Sequence, residues 1–167
     1  VRAVGPCGRG HARGRLRLAD LGYVSQPGGL LPCPNVRDNI LLPAALKKMK
    51  AKDQVRRLEE LFSVLKIGHL ARKYPHQISV GERQRCAIAR AYHYHCDLLL
   101  MAEPFKSLDH ALRLEMLELL LAMWRRRRGS VLFVTHDLDE ALAVASRIVV
   151  LGDRPARVRA EFTLDRT

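Results

Sequence analysis

The stretch Asp97-Leu98-Leu99-Leu100-Met101-Ala102-Glu103-Pro104 decides how this chain is to be read. Leu98 to Met101 is short and wholly apolar, the pattern of a strand buried on both faces inside a parallel sheet. Polar character returns abruptly at Glu103. In open α/β sheets, ligands bind beyond the carboxyl ends of the strands, so a carboxylate directly after such a run stands where chemistry is done.

Working outward, apolar strands alternate with helical patterns. Downstream, a helix is expected from Asp109 to about Arg127, then a strand Val131–Val134, a helix beginning near Leu138 and a strand Ile148–Leu151. Upstream, Ser79 can cap a helix running from about Gly81 to His93. Asp53 to Lys66 is amphipathic, with Val55, Leu58, Leu61, Phe62 and Leu65 at helical spacing and Gly68 as its stop. Asn35 reads as the N-cap of an earlier helix carrying Val36, Ile40 and Leu41 on one face. Leu21 to Gln26 reads as a short strand with Gln26 at its tip, and Pro27-Gly28-Gly29 and Pro32-Cys33-Pro34 punctuate the loop after it. Residues 1–20 are rich in Gly and Arg with little periodicity. The alternation predicts an α/β layered fold with a mainly parallel sheet.

Composition bounds the reading. The chain has 167 residues, 48% hydrophobic and 28% charged, enough for one domain with a real core and against disorder as the default. No apolar run approaches the roughly 20 residues that span a bilayer. The chain opens on Val1 without an apolar signal core, so the N-terminus reads as incomplete and no secretory signal is visible. Cys7, Cys33, Cys86 and Cys96 show no CxxC spacing, which argues against a disulfide framework or zinc ribbon and for a reducing, cytosolic compartment. His93 and His95, two apart, would diverge on a helix and make a poor metal site. Cys86, among Ala87, Ile88 and Ala89, reads as a small core residue. The net charge of +12 is concentrated in Arg13-Gly14-Arg15 with Arg17 and in Arg125 to Arg128. The second cluster ends a helix, where cations suit the dipole; a solvated basic face and contact with an anionic partner are both open.

Polar residues follow three of the expected strands directly: Gln26, Glu103, and Thr135-His136-Asp137. A glutamine, a carboxylate and a histidine brought together at one sheet edge could coordinate a metal, activate a water and sense a phosphate.

With these residues in view, the sequence resembles the nucleotide-binding subunits of ABC transporters. Tyr23-Val24-Ser25-Gln26 matches the Q-loop, and Ile78-Ser79-Val80-Gly81-Glu82-Arg83-Gln84-Arg85 the signature motif. Leu98 to Pro104 matches Walker B, Ser107-Leu108-Asp109 the D-loop, and Thr135-His136-Asp137 the H-loop. Phe105 after Pro104 is similar to importers. Leu30-Leu31-Pro32 with Asn35-Val36-Arg37-Asp38-Asn39-Ile40 is similar to the nitrate, sulfonate and taurine uptake branch.

The resemblance implies a P-loop NTPase-like parallel sheet with an inserted helical subdomain and a truncated N-terminal part. It divides the chain into a remnant or tail at 1–20 and an ABC-type ATPase domain at 21–167, the helical subdomain lying at about 35–93. The implied cofactors are ATP and Mg²⁺. Glu103 would polarise the attacking water and His136 contact the γ-phosphate; Gln26 would reach the Mg²⁺ and relay its state to a membrane subunit. Ser79, Gly81 and Glu82 would face ATP bound by a partner subunit, at a helix N-terminus suited to anions. Asp109 would couple the two sites. The implied partners are a membrane permease subunit and a second ABC ATPase subunit, at the cytoplasmic face of the membrane.

The pattern breaks in four places. The phosphate loop should read G-x-x-x-x-G-K-[ST]. The candidate is Gly5-Pro6-Cys7-Gly8-Arg9-Gly10-His11-Ala12, after the short run Val1 to Val4; Gly5, Gly8 and Gly10 belong to its glycine frame, but His11 replaces Lys and Ala12 the Mg²⁺-binding hydroxyl. Fifteen positions separate His11 from Gln26, too few for what the family places there, so the stretch reads as a rewritten phosphate loop or as a Gly/Arg-rich tail. Ala102 replaces the Walker B Asp, and Val80 a signature glycine. The losses at 11, 12 and 102 fall on one task, holding Mg²⁺ and the β/γ-phosphates. Hydrogen bonds to charged groups contribute about 1.5–3 kcal/mol each, so losing two or three weakens MgATP binding by orders of magnitude. The expectation is an importer ATP-binding subunit with impaired hydrolysis. The alternatives are a non-catalytic partner lending its signature motif to an intact ATPase, or a nucleic-acid-associated ABC protein, against which the scarce aromatics and the Pro-Phe pair argue.

Overall fold

Leu98–Ala102 lies inside a sheet and is paired in parallel on both sides, to Leu21–Val24 through Leu21↔Leu98 and Val24↔Met101, and to Ser130–Val134 through Leu98↔Ser130 and Ala102↔Val134. The computed structural model describes residues 2–4, 21–24, 29–47, 49–93, 96–106, 108–125, 130–152 and 154–165. Their elements are β1 (Arg2–Val4), β2 (Leu21–Val24), α1 (Val36–Leu46), α2 (Ala51–Val64), α3 (Val80–His93), β3 (Leu98–Ala102), α4 (His110–Arg125), β4 (Ser130–Val134), α5 (Leu138–Val144), β5 (Arg147–Gly152) and β6 (Arg157–Thr163). The sheet runs β2-β3-β4-β1-β5-β6.

Two departures from expectation concern the sheet. β3 and β4 are not covered equally on both faces. Gly22, Val24, Leu99, Met101, Val131, Phe133 and Ile148 share one buried face, whereas Leu98, Leu100, Ala102, Leu132 and Val134 on the other are half-buried and Tyr23 is 55% exposed. The second concerns β1, which runs antiparallel to both neighbours, with Val4 beside Leu132 and Arg147 and Arg2 beside Val134 and Val149. β4 and β5 point the same way, so a strand between them is parallel to both or antiparallel to both. Antiparallel ladders are slightly the more stable per residue, which suits so short a strand. On the buried face the packing leaves no room for a side chain at position 22, where a Cβ would lie 2.6 Å from Cys96 Sγ.

The helices follow their caps. Asn35 Oδ1 accepts the N–H of Asp38 at 2.9 Å, so α1 starts where the sequence marks it, and α1 continues through Pro43. The stop of α2 is set by Lys66 rather than Gly68: Lys66 takes a left-handed φ of 54° and Ile67 N–H closes on the Phe62 carbonyl at 3.0 Å. Cys86 is fully buried, and burial pushes its thiol up to about 12, so it is inert core. β6 was not anticipated. It is an exposed edge strand in which Arg157, Arg159 and Glu161 alternate with Val158, Ala160 and Phe162, the charges that commonly blunt such an edge. Among the described residues no helix is long and apolar enough to cross a membrane.

Candidate functional site

The ends of β3 and β4 bring two of the three strand-end residues into contact. The ladder continues one step past Ala102, where Glu103 N–H donates to the Val134 carbonyl at 2.8 Å. Glu103 then turns with φ 48°, a left-handed conformation that costs a non-glycine residue about 1–2 kcal/mol. The turn presents the carboxylate to the next strand end, where Oε2 lies 2.6 Å from His136 Nδ1. Facing an ionised carboxylate, Nδ1 carries the proton and donates, which leaves the Nε2 lone pair on a ring that is two-thirds exposed. Such a pair can hold a water or hydroxyl and move a proton.

The segment carrying His136 is held on both sides. Thr135 Oγ1–H donates to Glu140 Oε2 at 2.7 Å, and Thr135 Oγ1 itself accepts the Asp137 N–H at 3.0 Å. Asp137 caps α5 by accepting Glu140 N–H at 3.1 Å. Arg113, from α4, donates to Asp137 Oδ2 at 2.6 Å and lies 3.6 Å from Glu140 Oε1. Burial pushes the Glu140 carboxyl up, against the Thr135 hydrogen bond and the Arg113 charge. Arg113 and Glu140 were not singled out in the sequence. Their spacing was the available signal, each lying four residues after a motif residue, Asp109 and His136.

A second group of motif residues lies at the start of α3. Ser79 N–H donates to Glu82 Oε2 at 2.7 Å and Ser79 Oγ accepts Glu82 N–H at 3.2 Å, a reciprocal cap that holds the Glu82 carboxyl below the usual range. Glu82 is thereby turned back on its own helix rather than outward. The first-turn N–H groups of Val80 and Gly81 have no carbonyl partner within the helix, which keeps an anion-binding character at this end. A Cβ on Gly81 would sit 2.4 Å from Leu112 Cδ2, so glycine here lets α4 approach the turn. An open recess of about 190 Å³ beside it is lined by Lys66, His69, Ser79, Gly81, Glu82 and Arg85. Arg85 ties α3 to α4 through Glu115 Oε2 at 2.7 Å. Asp109 caps α4 by accepting Leu112 N–H at 2.9 Å. Asn39, fully buried, donates to the carbonyls of Leu31, Pro34 and Asn35 and accepts Leu31 N–H, clamping the loop that follows β2.

Gln26, Gly5, Gly8, Gly10 and His11 lie outside the described residues. Arg2 pairs with Val134 and Val4 with Leu132 in the middle of β4, so the described part of β1 runs away from Glu103 and His136. Ala102 supplies no side-chain oxygen at the end of β3. Among the described residues no cluster of three His, Cys, Asp or Glu side chains could hold a metal. Among the described residues, β3 thus offers a Mg²⁺ ion no side-chain oxygen beside Glu103.

Residues 10–106 match the profile of the ABC transporter family. The chain belongs to that family. It is 40% identical over 147 residues to the taurine import ATP-binding protein TauB of Rhizobium johnstonii, covering 88% of this chain and 56% of that protein. It is 35% identical over 147 residues to the nitrate import ATP-binding protein NrtD of Synechocystis sp., covering 88% and 55%. This ABC chain thus spans just over half the length of these curated relatives. Its fold superposes with a TM-score of 0.73 and 28% identity on the ATP-binding cassette MJ0796, a dimer in a post-hydrolysis state bound to ADP and phosphate, over 89% of this chain and 64% of that one. The α/β fold with parallel strands at its centre is that of the ABC cassettes.

Proposed function

We propose that this chain is an ATP-binding subunit of an ABC importer for a small oxyanion of the nitrate or sulfonate kind, impaired in hydrolysing ATP on its own. The contact that carries the proposal is Glu103–His136 at 2.6 Å, assembled at the end of a strand whose neighbouring position is Ala102. The 2.6 Å contact supports a proton-handling role for the two, and alanine at 102 supports a weakened hold on the metal. Glu103 would accept a proton from water and His136 would contact the terminal phosphate. Ser79 and the first-turn N–H groups of α3 would face ATP on a second ABC subunit. Asp109, at the start of α4, would sense that subunit's approach. Gln26 would report to a permease subunit holding the chain at the cytoplasmic face of the membrane. The names of the taurine and nitrate import relatives support the substrate class.

The experiment is MgATP turnover and binding by the purified chain, alone and mixed with an intact cassette. Little steady turnover is expected from the chain alone, with binding weaker by orders of magnitude than in the mixture. A steady Mg²⁺-dependent rate from the chain alone that vanishes in Glu103→Gln overturns the impairment. A second reading, a non-catalytic partner lending its signature turn, is favoured by the intact Ser79–Glu82 cap. It requires Ser79→Ala in this chain to lower turnover at the intact cassette's site.

A further inference from the structure

Arg113 joins two motifs that are far apart in sequence. It stands one helical turn after Asp109 on α4, and its guanidinium leaves that helix for the start of α5. There Nη1 donates to Asp137 at 2.6 Å and Nε lies 3.6 Å from Glu140. Those carboxylates are the cap and the first-turn acid of α5, and they follow His136 in the chain. Both chain neighbours of the imidazole are tied as a result: Thr135 through its hydroxyl to Glu140, and Asp137 through its carboxylate to Arg113. The side chain of Glu140 is only 4% exposed, and Arg113 is the cation that the described ion pairs place beside it. A carboxylate so buried needs an opposite charge or a proton. Removing the guanidinium leaves Asp137, Glu140 and Glu103 as three carboxylates near one segment, with no cation of α4 facing them among the described ion pairs.

We propose that Arg113 is a positioning residue, holding the Thr135–Asp137 segment so that His136 Nδ1 faces Glu103. It touches neither reacting atom. It acts through Asp137 and Glu140, and it places the histidine under the control of the helix that Asp109 opens. The role takes Glu103 and His136 as the working pair of the function proposed above.

The test reads the imidazole itself in the full chain without nucleotide, by long-range ¹H–¹⁵N correlation at a pH where histidine is neutral. His136 of the unaltered protein is expected in one tautomer, with the proton on Nδ1. Arg113→Gln is expected to lose that signature and show the mixed tautomers of a free imidazole, in protein whose circular dichroism remains that of the folded chain. Arg113→Lys, which can reach one carboxylate but not both, is expected to fall between. A folded Arg113→Gln protein that keeps the Nδ1–H tautomer overturns the proposal, as does an unaltered protein already showing the mixture. Should Arg113→Gln fail to fold, Asp137→Asn breaks the 2.6 Å pair and leaves Arg113 in place; retention of the single tautomer there also overturns it. Because no nucleotide enters the measurement, a chain that never binds ATP defeats the proposed function and leaves this result standing.

Discussion

Glu103 holds a backbone conformation that its side chain would not choose, and its carboxylate reaches His136 only from there. Left-handed φ is cheaper for asparagine than for glutamate. Glu103→Asn is therefore expected to leave stability unchanged or raise it by up to about 1 kcal/mol while the contact with His136 is lost, as urea unfolding and histidine resonances would show. The opposite behaviour is expected at Gly22, whose missing Cβ is filled by Cys96 and Leu99. Gly22→Ala overpacks a buried strand and should cost about 1–3 kcal/mol in the same assay. Glu103, Ser79 and His136 were legible because motif position and strand-end logic agree for each. Arg113 was not, because its meaning depends on α4 and α5 lying side by side, which its spacing four residues after Asp109 does not by itself record.

At the scale of elements, α3 starts on a cap and ends on a buried histidine. Ser79→Ala removes one half of the reciprocal cap and should cost about 1 kcal/mol in thermal or urea unfolding. His93, at the other end, is completely buried, and its Nε2–H donates to the Gln54 carbonyl at 2.9 Å. Burial holds its pKa below the ordinary 6.5, with the charge of Arg57 acting the same way and the Gln54 hydrogen bond opposing. The unfolded chain therefore takes up the proton first. The stability His93 contributes is present above about pH 6.5 and is lost as pH falls through the folded value. The urea midpoint should drop between pH 8 and pH 5.5, and His93→Gln, which can still donate to Gln54, should flatten that drop. Equal drops in both proteins would assign the effect to other groups. The helices were legible from their caps, Asn35 and Ser79 above all. β6 carried a period-two alternation that went unread because its charged residues obscured it, and the direction of β1 follows from its neighbours, β4 and β5, not from its own three residues.

For the whole molecule, the order of strands and helices was readable because apolar runs and capped helices alternate along the chain. The unequal covering of the sheet was not, since burial of the second face depends on what packs there. That asymmetry carries a consequence in solution. A sheet with Leu98, Leu100, Leu132 and Val134 only half-buried and Tyr23 exposed offers a sticky surface to other copies of itself. A charge of +12 makes such copies repel, acting as a colloid stabiliser over a distance that electrolyte controls. The Debye length shrinks from about 10 Å at 0.1 M salt to about 3 Å at 1 M. Light scattering from the purified chain should therefore rise as sodium chloride is added at constant pH, and fall again on dilution; scattering that declines with salt would mean that opposite charges hold the copies together. The excess of arginine thus works as a suspension agent, and its effect lasts only while the surrounding buffer stays dilute.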